Sequence, residues 1–321
     1  MKNFKRFKEL TDSVKNIVIT THVFPDADGI GSQLALAEAL KKLKKNVTCV
    51  NESALQKRYR YLDTAKKIIP CHKFSSQKPI DLLIVVDTNG LERIGSKMGL
   101  LATKAREVFF IDHHPAPKEV LALHIIDIDK AATGEVVGEI IRKLKVPFSP
   151  EMALALYTAI MIDTSSFRYP NVKASTHALI SKLLETGIKS YKAYDQIYGA
   201  KELSHLQLVG QLLLSAQSTE DQSIAWIYLT EKMMKKYNVE PEDTHSFINY
   251  LLILKGIKVA VMFREEGKKV KISLRSSNID VGVIAQSLGG GGHNHSAATY
   301  KEGPLMLVIK ETIDKIKIMI K

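Results

Sequence analysis

Short apolar runs alternate with helical patterns along the first half of the chain. The runs have the length of buried strands, and the intervening segments repeat their apolar positions with a helical period. Strands that alternate with helices predict an α/β domain whose sheet is parallel or mostly parallel. The predicted strands are 17–22, 47–50, 82–87 and 108–114, and the predicted helices are 31–43, 135–144, 151–163 and 176–187.

The second half has a different order of apolar segments, which predicts a smaller α+β domain. Its predicted strands are 224–229, 257–265 and 269–276, and its predicted helices are 231–237, 243–254, 280–288 and 305–320. Residues 190–217 read as one or two helices without strong breakers. We therefore predict two domains, 1–190 with a mostly parallel sheet flanked by helices and 218–321 with an α+β fold, joined by a helical linker at 191–217.

Composition narrows the class of protein. The 321 residues carry a formal net charge of +12, which favours anionic partners such as nucleic acid or nucleotides, or reflects a lysine-rich proteome. The apolar stretches fall well short of the roughly 20 residues that a membrane span requires. The polar start of the chain does not resemble a secretory signal. A cytoplasmic location without a membrane partner is the resulting expectation.

Metal-capable side chains follow three of the predicted strands. His22, Asp26 and Asp28 come directly after the first strand, Asp87 closes another, and residues 112–114 (Asp-His-His) close a third. Asp163 lies at the end of an apolar helix. Ligands of parallel α/β sheets bind beyond the carboxyl ends of the strands, so these side chains are expected to meet there.

Mixed imidazole and carboxylate donors favour Mn2+, Fe2+, Co2+ or Zn2+ over Ca2+. Several carboxylates that converge on one point repel each other unless cations neutralise them. Two cations roughly 3.5–4 Å apart would neutralise them and would also clamp an in-line displacement at phosphorus. The pattern predicts a hydrolase with two divalent metal ions, of which Mn2+ is the expected species.

These motifs resemble the DHH phosphoesterase superfamily, in particular the DHH–DHHA1 branch that contains NrnA-like oligoribonucleases and pAp phosphatases. The resemblance covers nearly the whole chain. It runs from His22 through DADGIGS, VVDT, IDHH and DTSSFRYPN to SLRS at 273–276 and GGGGH at 289–293. Ser165 stands where a glycine is common, one of several small departures that put fine substrate preference in doubt.

The resemblance implies a role for each of these residues. One metal would be held by His22, Asp26 and Asp87, and the other by Asp28, Asp87, His113 and Asp163. His114 would face the substrate, and Asp112 would orient the histidine cluster. The second domain would grip the substrate through its glycine run and through charged or polar side chains. The implied substrate-binding residues are Arg275, Ser276, Gly290, Gly291, Gly292 and His293, with Arg168 and Asn171 near the nucleotide.

The implied function is hydrolysis of short oligoribonucleotides, including linear dinucleotides such as pGpG and pApA, and dephosphorylation of pAp. The expected partners are therefore short RNA oligonucleotides or small nucleotides, with a homodimer left open. The alternatives are a cyclic di-AMP phosphodiesterase, an inorganic pyrophosphatase and a nucleic-acid-binding module without catalysis. A RecJ-like exonuclease is disfavoured because the chain is short. Every expected metal position carries a side chain that can bind a metal ion, which argues against the non-catalytic module.

Overall fold

The computed structural model describes residues 1–75, 79–199, 201–292 and 294–320. Contacts between residues divide the chain into two compact units, Met1–Gly199 and Ala200–Lys321. The division falls inside the segment predicted as a helical linker, and the predicted domain boundaries stay a prediction.

Apolar runs of the first unit form a parallel six-stranded sheet, which confirms the predicted α/β class. The strand order is β3-β2-β1-β4-β5-β6. Residues 82, 84 and 86 of β4 pack into one core and residues 83 and 85 into the core on the opposite face, as expected where helices cover both faces. The strands are β1 (Asn16–Thr20), β2 (Asn46–Asn51), β3 (Ile68–Pro70), β4 (Ile80–Val86), β5 (Ala105–Asp112) and β6 (Ile125–Ile126).

Eight α-helices surround this sheet in the described part of the first unit. They are α1 (Phe4–Ser13), α2 (Ala27–Lys42), α3 (Ser96–Ala102), α4 (Lys118–Leu123), α5 (Thr133–Lys143), α6 (Pro150–Asp163), α7 (Ala174–Leu184) and α8 (Ser190–Tyr198). Short 3-10 helices occupy Lys57–Asp63, Cys71–Lys73 and Leu91–Arg93. Helices α2 and α6 approach closely at Gly31, where a Cβ atom would lie 2.3 Å from the carbonyl oxygen of Ala155. This contact brings the start of α2 and the end of α6 to the same edge of the sheet.

Strand β1 marks the point where the strand order reverses, because its neighbours are β2 on one side and β4 on the other. Thr20 pairs with Val85, so β1 and β4 end side by side. Strand β5 ends next to β4, where Val86 pairs with Ile111. Ligands of open α/β sheets bind at such switch points, beyond the carboxyl ends of the strands.

A mixed sheet forms the second unit, with the order β11-β12-β10-β9-β8-β7 and a parallel pairing only between β8 and β9 among the described strands. The strands are β7 (Gln217–Ser218), β8 (Ile224–Leu229), β9 (Val259–Glu266), β10 (Lys269–Arg275), β11 (Gly291–Gly292) and β12 (Ser296–Glu302). The helices are α9 (Leu203–Leu214), α10 (Glu231–Tyr237), α11 (Val281–Ser287) and α12 (Leu305–Met319). None of the described helices in either unit combines the length and apolar character that crossing a membrane would require.

A helix and a strand illustrate where the second unit differs from the sequence-based expectation. The helix predicted at 243–254 is wrong, since the chain there forms two 3-10 segments, Pro241–Asp243 and Phe247–Ile253. Strand β12 was not predicted, yet it pairs with β10 along its whole length. Its side chains are either small or polar, so the apolar alternation that signals a strand is weak there.

Candidate metal centre

The segment between β1 and α2 carries His22 and Asp26. Nδ1 of His22 donates to the carbonyl oxygen of Val23 at 2.9 Å, which leaves Nε2 facing Asp87, 3.3 Å from its Oδ2. Asp26 is the N-cap of α2, and its Oδ1 accepts the backbone N–H groups of Asp28 and Gly29. The cap fixes the turn, so both side chains are held at the end of β1.

Asp87 follows β4 and is almost completely buried. Its φ of 62° is left-handed, an uncommon conformation for a residue other than glycine, and one that concentrates at functional sites. While Oδ2 faces His22, Oδ1 accepts a hydrogen bond from the hydroxyl of Thr133 at 2.9 Å. Both carboxylate oxygens are therefore held in place.

Residues 112–114 lie at the end of β5, where the buried carboxylate of Asp112 binds both histidines. Oδ1 of Asp112 accepts from the backbone N–H of His113 at 2.8 Å and from Nδ1 of His114 at 2.6 Å, and Oδ2 accepts from the side chain of Asn89 at 2.7 Å. Asp112 thus contacts the ring of His114, and its predicted role in orienting the histidine cluster stays a prediction. Nε2 of His113 lies 3.2 Å from Oδ2 of Asp163. The rings of His113 and His114 meet edge to face with centroids 4.5 Å apart.

The start of α5 supplies donors that the sequence did not reveal. The backbone N–H groups of Thr133 and Gly134 each donate to a different oxygen of Asp28, both at 2.7 Å. Helix N-termini attract carboxylates in this way because their first N–H groups have no partner within the helix. Thr133 also binds Asp87, and the carbonyl oxygen of Lys130 accepts from Nδ1 of His113 at 3.3 Å.

Glu135 holds this segment in place from behind. Its carboxylate is buried and accepts from the backbone N–H of Ala131 and the hydroxyl of Thr176, while Nζ of Lys130 lies 3.1 Å away. These bonds join residues 130–135 to α7. Residues 130–135 are called the α5 entry segment below. An N-terminal Thr-Gly followed by Glu was its only signal in the sequence, and such a signal indicates a helix start, not a contact with distant aspartates.

Asp163 ends α6 and is followed by an unusual turn. Ser165, Ser166 and Phe167 have φ values of 49°, 62° and 64°, so three consecutive residues other than glycine are left-handed. Each such residue is strained by roughly 1–2 kcal/mol because its Cβ approaches the following carbonyl oxygen. The Arg168 guanidinium donates to the backbone oxygen of Ser165 at 2.8 Å. Asn171 donates to Ala131 O at 3.4 Å. Both predicted nucleotide contacts lie in this loop, and their role stays a prediction.

Electrostatics in this cluster depend on the crowding of its carboxylates. Burial and the charges of Asp87, Asp163 and Asp26 raise the pKa of Asp28 well above its usual value. Burial likewise raises the pKa of Asp163 to about 7, against the opposing charge of His113. The raised pKa values of Asp28 and Asp163 indicate that the site carries more negative charge than its histidines neutralise.

The pKa values of two histidines are raised as well, but by the neighbouring carboxylates and against the effect of burial. Burial disfavours the charged ring of His22, but the hydrogen bond and charge of Asp87 raise the pKa of His22 to about 9. Burial opposes the charge on His114 too, and Asp112 and Asp87 raise its pKa to about 9. For Asp87, burial is outweighed by the hydrogen bond and charge of His22, so its pKa lies below the usual value.

Among the described residues, three groups of side chains could hold a metal ion, with the ligand atoms of each group within 4.8 Å of one another. One group contains the three residues predicted for the first metal, and another contains three of the four predicted for the second. Asp87 and His113 each belong to two groups. The groups are His22, Asp26 and Asp87; Asp28, His113 and Asp163; and Asp87, His113 and His114. Aspartate and histidine donors together with the excess negative charge fit divalent cations, while the assignment of each ligand stays a prediction.

The predicted substrate residues of the second unit lie near β10, β11 and β12. Ser276 is fully buried; its hydroxyl donates to the carbonyl oxygen of Lys258 and accepts from the backbone N–H of Ile279. Its predicted contact with substrate therefore has no support from this geometry. Arg275 ends β10, and its Nη1 donates to Leu274 O at 2.9 Å. His293 lies outside the described residues, so its predicted role stays a prediction.

The glycine run has different requirements at each position. A Cβ atom on Gly290 would lie 2.3 Å from the carbonyl oxygen of Ala298, and one on Gly292 would lie 2.4 Å from the Cα of Ala297. Gly291 is exposed, has no left-handed φ, and a Cβ atom there would meet nothing within 4 Å among the described residues. Packing therefore explains Gly290 and Gly292, while the local structure does not explain Gly291.

Comparison with known families identifies the class of protein. The model of the DHH family, N-terminal domain, matches residues 16–160, and the DHHA1 domain model matches residues 222–317. These two models define a phosphoesterase class. The chain is also 31% identical over 293 residues to the bifunctional oligoribonuclease and PAP phosphatase NrnA of Thermus thermophilus, an alignment that covers 89% of this chain and 84% of that relative. The chain belongs to the DHH–DHHA1 phosphoesterase family.

Solved structures agree with this assignment. An exopolyphosphatase-related protein from Bacteroides fragilis has a TM-score of 0.87 and 27% identity, over 98% of this chain and 94% of that chain. The exonuclease RecJ bound to manganese has a TM-score of 0.54 and 14% identity, over 98% of this chain and 94% of that chain. At that identity the RecJ structure supports the fold alone.

Proposed function

We propose that the protein is a two-metal phosphohydrolase that degrades short oligoribonucleotides to mononucleotides and dephosphorylates pAp. The observation that carries the proposal is the convergence of the metal-binding groups on Asp87 and His113, at the switch point of the sheet. The similarity to an oligoribonuclease and PAP phosphatase supports the choice of substrate. The basic charge of the chain, +12, is consistent with an anionic substrate.

His22, Asp26 and Asp87 would hold one cation, and Asp28, Asp87, His113 and Asp163 the other. Mn2+ is the proposed species, since carboxylate and imidazole donors in such numbers suit it. When bound, the two cations would polarise the phosphoryl oxygens and lower the pKa of the attacking water. The site residues supply the frame: the N–H groups of Thr133 and Gly134 fix both oxygens of Asp28.

His114 is the proposed substrate-facing residue. Its Nδ1 is bound to Asp112 at 2.6 Å, so the ring is held with Nε2 directed away from that carboxylate. Asp112 favours the protonated ring because its negative charge lies directly beside it. A proton held at Nε2 would be donated to a phosphoryl oxygen or to the leaving group.

A substrate panel tests the proposal. The wild-type protein is assayed with Mn2+ on pAp, pApA, pGpG, cyclic di-AMP and a five-residue RNA. We expect the linear dinucleotides and the RNA to be cleaved and pAp to lose phosphate. A large preference for cyclic di-AMP would replace the proposal by the phosphodiesterase alternative, and binding of RNA without any hydrolysis would favour the non-catalytic module.

Two substitutions distinguish loss of the metal centre from a general effect of removing an aspartate. Asp87→Ala should abolish hydrolysis, because Asp87 belongs to two of the three metal-binding groups. Asp129→Ala is the matched control, since the Asp129 side chain is 83% exposed and pairs only with Lys173 among the described residues. Exhaustive chelation should inactivate the wild-type protein, and Mn2+ should restore it. Turnover that survives chelation would contradict the proposed mechanism.

A further inference from the structure

Three tyrosines lie on one face of α8. Tyr191, Tyr194 and Tyr198 are separated by three and four residues, so they follow one another along the helix, while Ala193 and Ile197 are buried in the core and Tyr198 packs partly against it. Tyr191 is 61% exposed and Tyr194 is 48% exposed. The rings of Tyr194 and Tyr198 are 4.8 Å apart at their centroids. We call this face the tyrosine track.

One end of the tyrosine track adjoins the candidate metal centre. Ser166, in the left-handed turn that follows Asp163, lies close enough to the Tyr198 hydroxyl for hydrogen bonding to lower the pKa of Tyr198. Helix α8 also packs against α6, which carries Asp163, and against the 3-10 helix Lys57–Asp63. The track therefore leads from the turn behind Asp163 outward to Tyr191, a distance of about 10 Å along the helix at 1.5 Å per residue.

Two arginines flank the same end. Arg168 is held beside the turn by its bonds to the backbone oxygen and the hydroxyl of Ser165. Arg58 lies with its guanidinium carbon 4.6 Å from the ring centroid of Tyr59. Burial raises the pKa of Tyr198, whereas its bond to Ser166 and the positive charges of Arg168 and Arg58 lower it. Both cations therefore act on the inner end of the tyrosine track.

We infer that the tyrosine track stacks the bases of a single-stranded oligonucleotide whose phosphates contact Arg58 and Arg168. Aromatic side chains stack with any base, and guanidinium groups bind phosphate in a planar, two-pronged geometry. A span of about 10 Å accommodates roughly three nucleotides at about 3.4 Å each. The inference rests on the proposed function and specifies its substrate: short single strands, read by stacking rather than by sequence.

Steady-state kinetics with Mn2+ tests this assignment on three substrates: pApA, pApApA and bis(p-nitrophenyl) phosphate, which has no base. Tyr194→Ala should raise KM for both oligonucleotides about five- to tenfold, the effect expected for loss of one exposed stacking partner. Tyr194→Phe should restore the wild-type KM, because the ring remains. Tyr191→Ala should affect pApApA but not pApA, since Tyr191 lies at the outer end.

The controls distinguish a failure of the stacking inference from a failure of the proposed function. Tyr250→Ala removes a tyrosine that is 43% exposed in the second unit and should leave all three substrates unaffected. Every variant should hydrolyse the base-free ester at the wild-type rate. Equal oligonucleotide KM values for wild type and Tyr194→Ala would overturn the inference and leave the proposed function intact. A wild-type protein that hydrolyses only the base-free ester would overturn the proposed function.

Binding gives a readout that does not depend on turnover. A trinucleotide with 2-aminopurine at one position is titrated into the full-length protein in EDTA, and stacking on the tyrosines should quench its fluorescence. The quenching should disappear in Tyr194→Ala and persist in Tyr194→Phe. Absence of quenching in the wild-type protein would refute the tyrosine track. A change of oligomeric state in Tyr191→Ala, measured by light scattering, would also refute it, because the face would then be covered by a second copy.

Discussion

Thr133 provides the sharpest test of how the metal centre is organised. Its hydroxyl is completely buried and donates to Oδ1 of Asp87 at 2.9 Å, with Oδ1 of Asp112 at 3.4 Å. Thr133→Val keeps the branched shape of the side chain but removes this donor. The backbone N–H of residue 133, which binds Asp28, is unchanged. The substitution therefore perturbs Asp87 and leaves the geometry of Asp28 intact.

Two effects follow from losing the donor. A hydrogen bond to a charged group contributes roughly 1.5–3 kcal/mol, so the metal-free protein should lose about that amount of stability. Loss of a residue that orients a metal ligand typically weakens metal affinity by about 10- to 100-fold. We expect a loss of this size for Mn2+, because Asp87 is buried and belongs to two of the three metal-binding groups.

Calorimetric titration of metal-stripped protein with Mn2+ measures the affinity, and urea unfolding measures the stability. Thr133→Ser should recover both, since it restores the hydroxyl. Thr312→Val is the control: Thr312 is equally buried, but its hydroxyl has no hydrogen-bond partner among the described residues. A wild-type Mn2+ affinity in Thr133→Val, or a Thr133→Ser variant as weak as Thr133→Val, would refute the reasoning.

The remaining predictions concern the glycine run, the strained turn and pH. Gly291→Ala should leave thermal stability unchanged, and it should raise KM for oligonucleotides if a phosphate approaches Gly291. Gly290→Ala should destabilise the fold because the new Cβ would clash with β12. Equal thermal stability of the two variants would contradict this packing argument. Ser165→Gly should have a free energy of unfolding in urea about 1 kcal/mol higher than that of Ser165→Ala, since only glycine relieves the left-handed strain. The metal-free protein should lose stability as pH rises from about 4 to 7, because the pKa of Asp163 is about 7 in the folded state and the folded protein therefore binds a proton that the unfolded chain has lost. It should lose further stability from about pH 6.5 to 9, because the pKa of His114 is raised to about 9 in the folded state. The gain in Tm from Mn2+ should therefore be larger at pH 8 than at pH 5.5, and an equal gain would argue against cation binding by these groups.

Much of the fold was predictable because its signals are local. Strand β4 is a continuous apolar run, which indicates a strand buried on both faces, and both faces are indeed covered. Polar side chains directly after β1, β4 and β5 could be placed together because parallel strands end at one edge. The apolar pattern predicts an α-helix at 243–254, where Phe247–Ile253 forms a 3-10 helix, because seven residues do not distinguish a period of 3.0 from one of 3.6.

The rest of the site could not be read from local patterns. Thr133 and Gly134 look like an ordinary helix start, and their contact with Asp28 spans 105 and 106 residues. The burial of Ser276 depends on the turn that follows β10, which apolar periodicity does not describe. The tyrosine track cannot be inferred from the spacing of its residues alone, because its interest depends on the closeness of Tyr198 to Ser166. The contacts of Asp28 and Tyr198 join segments that are distant in the sequence, and the turn at Ser276 carries no periodic signal.

The α5 entry segment joins the residues of the candidate metal centre to one another. It donates two N–H groups to Asp28 and a hydroxyl to Asp87, and it accepts a bond from His113. These three residues come from α2, the end of β4 and the end of β5, so one segment of chain joins all three motifs. Glu135 in turn fixes that segment to α7. Because these bonds orient the predicted ligands, substitutions in this segment should alter Mn2+ affinity without touching a predicted ligand.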